Sequence, residues 1–365
     1  MECRRRTVGV RAWTSSWNQL NISSSIRRST TWRSICTPRR HAATTPGSSV
    51  KCCPRHRGRR LEKLCFVFVR RLVNSGRYDY LWTNYVEYAR LGLVAAPRET
   101  QRVIDIHDLA STANHSKKDL PEFEGLTFDF DRNLAREMNV LNKFDKIAVN
   151  STEELKAVGH HIAKEKLYLV PHLVGPSLRA EVLPDYGSRE FRYDLLYVGS
   201  DQSWNVKAIN SFIAGALPAI VQAHPGVRVG VLGKVGAFIR VPDDLRGNVE
   251  APGQVVPSLE GAYLASRIVI CPLLEGAGTK SKLSEAISYR VPIVTTSVGA
   301  SGLLVSDGVH CLVRDRQEDF AAGVIRLLRE PEEAMRMSKE LDRLYERAYS
   351  RSVIFSSLDQ LLGIS

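Results

Sequence analysis

From Leu61 onward the chain alternates between short apolar segments and longer segments in which apolar residues recur at three-to-four spacing. The apolar segments RVIDI and KIAV predict strands, and FDRNLAREMNVL between them predicts a helix. Strand–helix alternation of this kind is typical of a mostly parallel sheet covered by helices. The chain is therefore predicted to adopt an α/β fold.

The alternation stops in GPSLRAEVLPDYGSREFRY and then restarts in full. The segments LLYVGS, VRVGVL, IVICPLL and VPIVTT predict strands of a complete doubly wound domain, and WNVKAINSFIAGALPAIVQA predicts one helix. We predict an amino-terminal domain over residues 61–180 and a carboxyl-terminal domain over 181–350. The first domain is predicted to lack its opening strands, and residues 351–365 are predicted to form a tail.

Residues 1–60 differ in composition from the rest of the chain. They hold 14 of the 51 Lys and Arg residues, 16 Ser or Thr residues and one acidic residue, Glu2. They show no helical or alternating pattern of useful length. Three interpretations stay open for this segment: a disordered basic tail, a targeting segment, and a wrongly assigned start.

The formal net charge of +12 arises in that segment. Residues 61–365 carry 37 basic and 38 acidic residues, so a nucleic-acid-binding surface is not implied. The seven cysteines show no C-x-x-C spacing, which favours a reducing compartment without a disulfide framework or a zinc site. No apolar segment reaches about 18 residues, the length of a transmembrane helix. We expect a cytoplasmic protein and leave peripheral contact with the inner membrane face open.

The most informative segment is CPLLEGAGTKSKLSEA, residues 271–286, between a predicted strand and a predicted helix. In open α/β sheets, ligands bind at the loops that leave the carboxyl ends of the strands. Gly276 and Gly278 allow backbone N–H groups to approach a ligand closely. The start of the following helix directs the positive end of its dipole toward the same place. These features favour an anion-binding loop.

The side chains of this segment indicate which anion is bound. Thr279, Lys280 and Lys282 add a hydroxyl and two positive charges, which suit a diphosphate. Glu285, farther along the helix, can accept hydrogen bonds from two vicinal hydroxyls of a ribose. Neither the phosphate-binding G-x-x-x-x-G-K-[ST] motif nor the dinucleotide-binding G-x-G-x-x-G motif occurs here. Each residue alone could be structural, but the set between a strand and a helix predicts a nucleoside diphosphate site.

Residues 193–330 resemble the carboxyl-terminal domain of glycosyltransferase family 4, the retaining nucleotide-sugar-dependent enzymes of GT-B fold. From about residue 76 the chain resembles the amino-terminal domain more weakly, through YDYLWTN, VIDIHDL, Glu137, DKIAVNS and YLVPHLV. The resemblance implies two Rossmann-like domains with an interdomain cleft, the first of them incomplete. The segments that carry it in the second half are LLYVGS, NVKAINSFI, VLGKV, APGQV, AYLASRIVICPLLEGAGTKSKLSEAISYRVPIVTTSVGASGL and DGVHCLVRD.

The resemblance also implies roles for individual residues. The two loop lysines would meet the donor diphosphate, and Glu285 would hold the ribose. His107, followed by Asp108, would lie near the donor sugar and the acceptor as the catalytic pair. The donor-binding residues implied in this way are Gly199, Ser200, Asn205, Glu275, Gly276, Gly278, Thr279, Lys280, Lys282 and Glu285.

The chain departs from the family pattern at three places. Many members have a closer pair of glutamates than Glu275 and Glu285, so the family role transfers to Glu285 and only poorly to Glu275. The Arg/Lys pair that often follows the glycine of the first strand is absent from GSDQSWN. Residues 1–60 contain no glycine-rich loop that could open the first domain.

The sequence thus predicts a retaining, hexosyltransferase-type glycosyltransferase that moves a sugar from a nucleotide-diphosphate donor to an acceptor hydroxyl. We expect a role in polysaccharide or glycoconjugate biosynthesis, with a glycan, a lipid-linked molecule or a small molecule as the acceptor. The predicted donor-binding segment, residues 271–286, contains no D-x-D motif, so no metal or other cofactor is expected. Two alternatives are a non-catalytic or truncated nucleotide-sugar-binding relative and, less favoured, a nucleotide-sugar epimerase.

Overall fold

The computed structural model describes residues 7–12, 20–24, 67, 69–71, 73, 74, 78–97, 99–115, 129–172, 183–253, 259–276 and 280–364. These residues form two compact units. The first unit holds the described residues up to Leu169, apart from Asn150–Glu153. The second unit holds Asn150–Glu153 and the described residues from Val170 onward.

The first unit contains a six-stranded sheet with the strand order β2-β1-β3-β4-β5-β6. β1 pairs with β2 in antiparallel orientation, and every other neighbouring pair is parallel. Its strands are β1 (Thr7–Ala12), β2 (Leu20–Ser24), β3 (Tyr80–Asn84), β4 (Gln101–Ile106), β5 (Lys146–Val149) and β6 (Leu167–Leu169). Its helices are α1 (Ala89–Ala95), α2 (Ala110–His115), α3 (Phe130–Leu141) and α4 (Thr152–Gly159), with 3₁₀ turns at Val86–Tyr88 and Lys164–Lys166.

The core of the first unit follows from the apolar pattern of its central strands. Ile104 and Ile106 on β4 and Ile147 on β5 are fully buried. α3 packs against them through its buried residues Met138 and Leu141, and Asp129 caps its first turn by accepting a hydrogen bond from the Arg132 N–H at 3.0 Å. The described residues within 67–74 are helical.

The interpretation of residues 1–60 as a segment outside the first domain is wrong for two parts of it. β1 pairs in register with β3 from Thr7 opposite Tyr80 to Val10 opposite Thr83, and β2 extends the sheet at its edge. The sequence signal was weak because a strand of five or six residues carries little periodicity, and pairing depends on backbone groups that composition does not reveal. The remaining residues of 1–60 lie outside the described part of the chain.

The second unit contains a six-stranded parallel sheet with the strand order β12-β11-β10-β7-β8-β9. Its strands are β7 (Tyr193–Val198), β8 (Val229–Leu232), β9 (Val249–Gly253), β10 (Ser266–Cys271), β11 (Ile293–Thr295) and β12 (Leu312–Val313). Its helices are α5 (Ser203–Gly215), α6 (Leu217–Ala223), α7 (Leu259–Leu264), α8 (Ser281–Ser288), α9 (Ser297–Ala300), α10 (Gln317–Arg329), α11 (Pro331–Leu344) and α12 (Arg351–Leu362). Three 3₁₀ turns, Tyr186–Ser188, Lys234–Phe238 and Asp243–Asn248, and a π-helical turn, Tyr345–Tyr349, complete the unit.

The long helix predicted after β7 is two helices. α5 ends at Gly215 and α6 begins at Leu217, and their axes are bent by 43° at the break. Pro218 explains the break, because proline has no N–H to donate and its ring clashes with the carbonyl four residues earlier. The bend allows both helices to bury apolar residues in the same core, among them Phe212 and Ile220.

The predicted tail over residues 351–365 is also wrong. Residues 351–362 form α12, which follows the π-helical turn and buries three of its side chains. Its apolar residues recur at helical spacing, and Ile354, Leu361 and Leu362 are all at most 4 % exposed. The end of the described chain is therefore an integral helix of the second unit.

Within the described residues, no single helix is long and apolar enough to cross a membrane. The bent pair α5 and α6 reaches the required length and hydropathy only when its two members are taken together.

The burial of α12 gives the first testable prediction. Leu361→Ala should lower the free energy of unfolding of the full chain by about 2–5 kcal/mol, because it removes a fully buried leucine side chain and leaves a cavity. Gln360→Ala, at the exposed neighbouring position, should change it by less than about 0.5 kcal/mol. Urea denaturation followed by circular dichroism measures both. Equal stability of the two variants would contradict the packing of α12.

Candidate functional site

The strand order of the second sheet marks one place as the natural binding site. From β7 the sheet grows toward β8 and β9 on one side and toward β10, β11 and β12 on the other. The loops that leave the carboxyl ends of β7 and β10 therefore run in opposite directions and leave a crevice between them, which is where open α/β sheets bind ligands. Both predicted donor-binding segments of this unit leave the sheet there.

The loop after β7 brings Gly199, Ser200 and Asn205 together as predicted. The Asn205 side-chain amide donates to Ser200 Oγ at 3.0 Å, and the Asn205 carbonyl accepts from the Tyr197 hydroxyl at 3.1 Å. A side chain at Gly199 would be crowded, since an added Cβ would lie 3.0 Å from Cε1 of Tyr197 and 3.1 Å from Cγ1 of Val235. The start of α5 is thus tied to the end of β7.

A second glycine, which the sequence reasoning did not assign to the site, shapes the same edge. Gly233, directly after β8, has φ +94°, and an added Cβ would lie 2.3 Å from the carbonyl oxygen of Gly199. In the turn that follows Gly233, the Val235 N–H donates to the same Gly199 carbonyl at 3.3 Å. Only glycine permits this close approach of two loops. The signal for it was the glycine in VLGKV, immediately after a predicted strand.

The loop after β10 begins at Pro272 and returns to regular structure at α8. Gly276 has φ +132°, a region that residues with a Cβ rarely adopt, so its glycine is required by the backbone. The Lys280 side chain folds back toward this glycine, with Cε 3.9 Å from the position of an added Cβ. Gly278 and Thr279, both predicted to bind donor phosphate, lie outside the described residues.

The start of this loop is held by the neighbouring strand. Thr295 Oγ1, at the end of β11, donates to the Cys271 carbonyl at 3.0 Å, and Thr296 Oγ1 donates to the Leu273 carbonyl. Thr296 also caps α9 by accepting from the Gly299 N–H at 3.0 Å. The segment VPIVTTSVG therefore fixes the point from which the loop after β10 departs.

The charged side chains of the loop and α8 are paired with one another and with α5. Lys207, a residue that the sequence reasoning missed, places its Nζ 3.3 Å from Oε1 of Glu275. Nζ of Lys282 lies 3.3 Å from Oε1 of Glu285. The two glutamate side chains are about one-fifth exposed, whereas Lys207 is 59 % and Lys282 is 39 % exposed. Pairs of this exposure contribute at most about 1 kcal/mol to stability, so the lysines can leave their partners at low cost.

Glu285 also has a buried partner, Tyr263 on α7. The Tyr263 hydroxyl oxygen lies 2.9 Å from Oε2 of Glu285, and its ring stacks on Tyr289 with the centroids 5.1 Å apart. Burial, together with the negative charge of Glu285, raises the pKa of Tyr263 well above its ordinary value, so the phenol stays protonated and can donate. The one signal of this contact in the sequence is the tyrosine itself, because a buried tyrosine needs a partner for its hydroxyl.

The thiol of Cys271, at the end of β10, is not a nucleophile. Burial raises its pKa to about 11, although the positive charge of Lys280 acts in the opposite direction. A protonated, buried thiol is a packing residue. Among the residues that the structure describes, no group of three or more His, Cys, Asp or Glu side chains is placed to hold a metal ion.

In the first unit, the predicted catalytic residues His107 and Asp108 directly follow β4. Nε2 of His107 lies 3.1 Å from the Asn84 amide nitrogen and 3.7 Å from Oδ2 of Asp105. The Tyr85 ring stacks on the imidazole with centroids 4.4 Å apart and an interplanar angle of 23°. Asn84, Tyr85 and Asp105 were missed because they come from two strand ends that only the sheet brings together.

Tyr85 has an unusual backbone for a bulky residue, with φ 64° and ψ 144°. A non-glycine residue in this region costs on the order of 1–3 kcal/mol, and such residues cluster at functional sites. Burial, followed by the charges of Asp108 and Asp105, raises the pKa of its phenol to about 12. The Asn84 Oδ1 atom is buried without a hydrogen-bond partner. These features favour a functional role for the residues around His107.

Glu137 on α3 holds the start of the helix that follows His107 and Asp108. It is 5 % exposed, and its two carboxylate oxygens accept from the N–H groups of Ala110 and Ser111 at 2.8 and 2.9 Å. These are the first N–H groups of α2, so the carboxylate caps that helix where its dipole is positive. The cap fixes the short connection that carries His107 and Asp108.

Comparison with known protein families finds one match, which lies in the second unit. Residues 192–330 match the family model described as Glycosyl transferases group 1. Comparison with curated protein sequences finds no significant match.

Solved structures resemble the chain over most of its length. One similar structure is a mutant of S. aureus TarM in complex with fondaparinux, alpha-GlcNAc-glycerol and UDP. Its TM-score is 0.64 and its sequence identity is 12 % over 86 % of this chain. The match spans only 59 % of the TarM chain. Anabaena HepE in complex with UDP is similar at TM-score 0.58 and 14 % identity, over 82 % of each chain. Sucrose-phosphate synthase from Thermosynechococcus elongatus gives TM-score 0.60 and 19 % identity, over 84 % of this chain and 79 % of its own.

These structures share the GT-B fold, which confirms the predicted fold class. The crevice at the ends of β7 and β10 lies within residues 192–330, the segment that matches the glycosyl transferases group 1 model.

Proposed function

We propose that this chain is a glycosyltransferase that moves a sugar from a nucleoside diphosphate donor to an acceptor hydroxyl. The observation that carries the proposal is the loop and helix after β10, where Lys280, Lys282 and Glu285 stand at the switch point of a glycosyl transferases group 1 domain. The proposal extends to hexose transfer with retained configuration at the anomeric carbon.

The donor would bind along the start of α8. The first N–H groups of a helix are free to donate to an anion, and the positive end of the helix dipole adds to the charge of Lys280 and Lys282. These groups suit the diphosphate. Glu285 would accept hydrogen bonds from two hydroxyls of the ribose, and the loop with Gly199 and Ser200 would line the opposite side of the crevice.

The same groups would assist the reaction. The bond between the anomeric carbon and the diphosphate oxygen breaks, a bond to the acceptor oxygen forms, and the proton of the acceptor hydroxyl passes to the departing diphosphate or to water. The electron pair leaves with the nucleoside diphosphate, so negative charge develops there. Lysines and a helix start that are already aimed at this charge stabilise it without reorganisation. We therefore propose that no metal ion or other cofactor is required.

His107 and Asp108 are proposed to act at the sugar. The imidazole is held by the Tyr85 ring and by the amide of Asn84, which limits its rotation. A group held in this way can position a reacting sugar or acceptor, and misplacement of such groups by about 1 Å costs roughly a hundredfold in rate.

The choice of donor and acceptor is also part of the proposal. TarM and HepE were crystallised with UDP, which favours UDP-sugars as the first donors to test. The acceptor is proposed to be a glycan, a lipid-linked molecule or a small molecule in polysaccharide or glycoconjugate biosynthesis. We propose a cytoplasmic location, and a peripheral one at the inner membrane face remains compatible with it.

One observation favours a second candidate, a relative that binds nucleotide sugars without transferring them. The residues that follow β1, WTSSWNQ, contain no glycine, whereas the family resemblance implies a glycine-rich loop at the opening of the first domain. Nucleotide binding without transfer to any acceptor in a screen would favour this candidate. An epimerase would instead release an altered nucleotide sugar.

Glu285→Ala should weaken binding of the nucleoside diphosphate that binds most tightly among UDP, GDP and ADP. Loss of a carboxylate that accepts from ribose hydroxyls should cost about 1.5–3 kcal/mol of binding free energy. Isothermal titration calorimetry measures the change. Glu318→Ala, which removes an exposed carboxylate from α10, serves as the control and should bind as the unaltered protein does. Unchanged binding by Glu285→Ala would remove that residue from the site.

Removal of divalent ions should leave nucleotide binding and any sugar transfer unchanged, because the positive charge at the diphosphate is supplied by lysines and a helix start. The measurement is transfer of radiolabelled sugar before and after treatment with EDTA. Activity that falls with EDTA and returns with Mn²⁺ or Mg²⁺ would contradict this prediction.

His107→Ala should lower the rate of transfer at saturating donor by roughly a hundredfold, because the group that positions the sugar is lost. Nucleotide binding should stay unchanged, since the proposed nucleotide-binding groups belong to the second unit. His160→Ala, at an exposed position of the first unit, is the matched control. Transfer at the normal rate in His107→Ala would exclude His107 from the reaction.

A further inference from the structure

Tyr263 connects two helices that are far apart in sequence. It lies on α7, is completely buried, and places its hydroxyl oxygen 2.9 Å from Oε2 of Glu285 and 3.0 Å from the backbone carbonyl oxygen of Lys282. Both of these partners belong to α8. A single side chain thus touches the carboxylate proposed to hold the ribose and the first turn of its helix.

The hydroxyl has one hydrogen for these two acceptors. The Lys282 carbonyl lies within α8, where backbone carbonyls accept from the N–H four residues later. Apart from Tyr263, Oε2 of Glu285 has Nζ of Lys282 at 3.5 Å, a long contact with a mobile side chain. A hydrogen bond to an ionised acceptor is roughly twice as strong as a neutral one. The carboxylate is therefore the preferred acceptor, and the phenol, which stays protonated, is a permanent donor to it.

The other carboxylate oxygen of Glu285, Oε1, is paired with Lys282, which is also proposed to bind the donor. Nζ of Lys282 lies 3.3 Å from Oε1, and the same ammonium is proposed to bind the donor diphosphate. Lys282 is half-exposed and has a flexible side chain, whereas Tyr263 is immobilised by burial and by its stacking on Tyr289. When Lys282 turns to the diphosphate, the contact with Tyr263 keeps the carboxylate oriented and leaves Oε1 available to the ribose.

We propose that Tyr263 is a positioning residue for Glu285, which holds Oε2 through its hydroxyl so that Oε1 is presented to the ribose hydroxyls of the donor. This inference rests on the proposed function, in which Glu285 binds the ribose and Lys282 binds the diphosphate. It concerns the hydroxyl alone, since a phenylalanine would keep the buried ring and its stacking.

Tyr263→Phe is the decisive variant. It should weaken binding of the best nucleoside diphosphate among UDP, GDP and ADP by about three- to tenfold, the size of one ordinary hydrogen bond, because the ligand senses the loss only through the orientation of Glu285. It should leave the binding of inorganic pyrophosphate unchanged, because pyrophosphate has no ribose. A general loosening of α8 would weaken both ligands alike, so the comparison separates positioning from a merely structural role.

The matched control is Tyr186→Phe. Tyr186 is also a buried tyrosine of the second unit, and its hydroxyl donates to the backbone carbonyl of Arg267 at 2.8 Å. Arg267 lies at the beginning of β10, at the opposite end of that strand from the donor-binding loop. Loss of this hydroxyl should leave both ligands bound as before. Thermal unfolding of both variants shows whether each remains folded.

A double-mutant cycle completes the test. If Tyr263 acts through Glu285, adding Tyr263→Phe to Glu285→Ala should cause no further loss of nucleotide binding, so the two effects are not additive. Full additivity would overturn the inference, as would equal weakening of nucleotide and pyrophosphate binding.

The failure of the inference and the failure of the proposed function give different results. If Glu285→Ala weakens nucleotide binding but Tyr263→Phe does not, Tyr263 is not a positioning residue and the proposed function stands. If the unaltered protein binds none of UDP, GDP and ADP, or if Glu285→Ala binds normally, the proposed donor site itself is wrong, and the role of Tyr263 is wrong with it.

Discussion

The parallel pairing of β10 with β7 is the constraint on which the second unit depends. Because the first strand of this sheet is flanked by β8 on one side and β10 on the other, the loops at their carboxyl ends must diverge and leave a crevice. The hydroxyls of Thr295 and Thr296 then fix the carbonyls of Cys271 and Leu273, where the loop after β10 begins. The position of α8, with its lysines and Glu285, follows from these backbone contacts.

Burial divides the polar groups of this crevice into fixed and movable ones. Tyr263 is completely buried and held by stacking, so its hydroxyl has one available position. Lys207 and Lys282 pair with glutamates from half-exposed or exposed positions, where an ion pair is worth little and can exchange. Under the proposed function, a site that binds a charged donor and later releases a charged product benefits from this combination of a fixed hydroxyl and mobile cations.

The first unit concentrates its unusual features at the carboxyl ends of β3 and β4. Tyr85 has a backbone that costs free energy, and its ring covers His107, while Glu137 caps the helix that follows His107. The strain persists because the Tyr85 N–H donates to the Asp105 carbonyl at 2.9 Å, and this bond ties the two strand ends together. The Tyr85 conformation does not itself stabilise the unit, so the packing of the rest of the unit compensates for its free-energy cost.

The sequence by itself determined the strand–helix alternation and the anion-binding character of the loop with Gly276 and the lysines at the start of α8. It could do so because periodicity and turn chemistry are properties of neighbouring residues. Only the tertiary structure decided that β1 joins the first sheet and that α12 is buried. It alone placed the Tyr263 hydroxyl on Glu285, 22 residues along the chain. Hydrogen bonds and burial between distant segments depend on which strands become neighbours, and no local pattern encodes that choice.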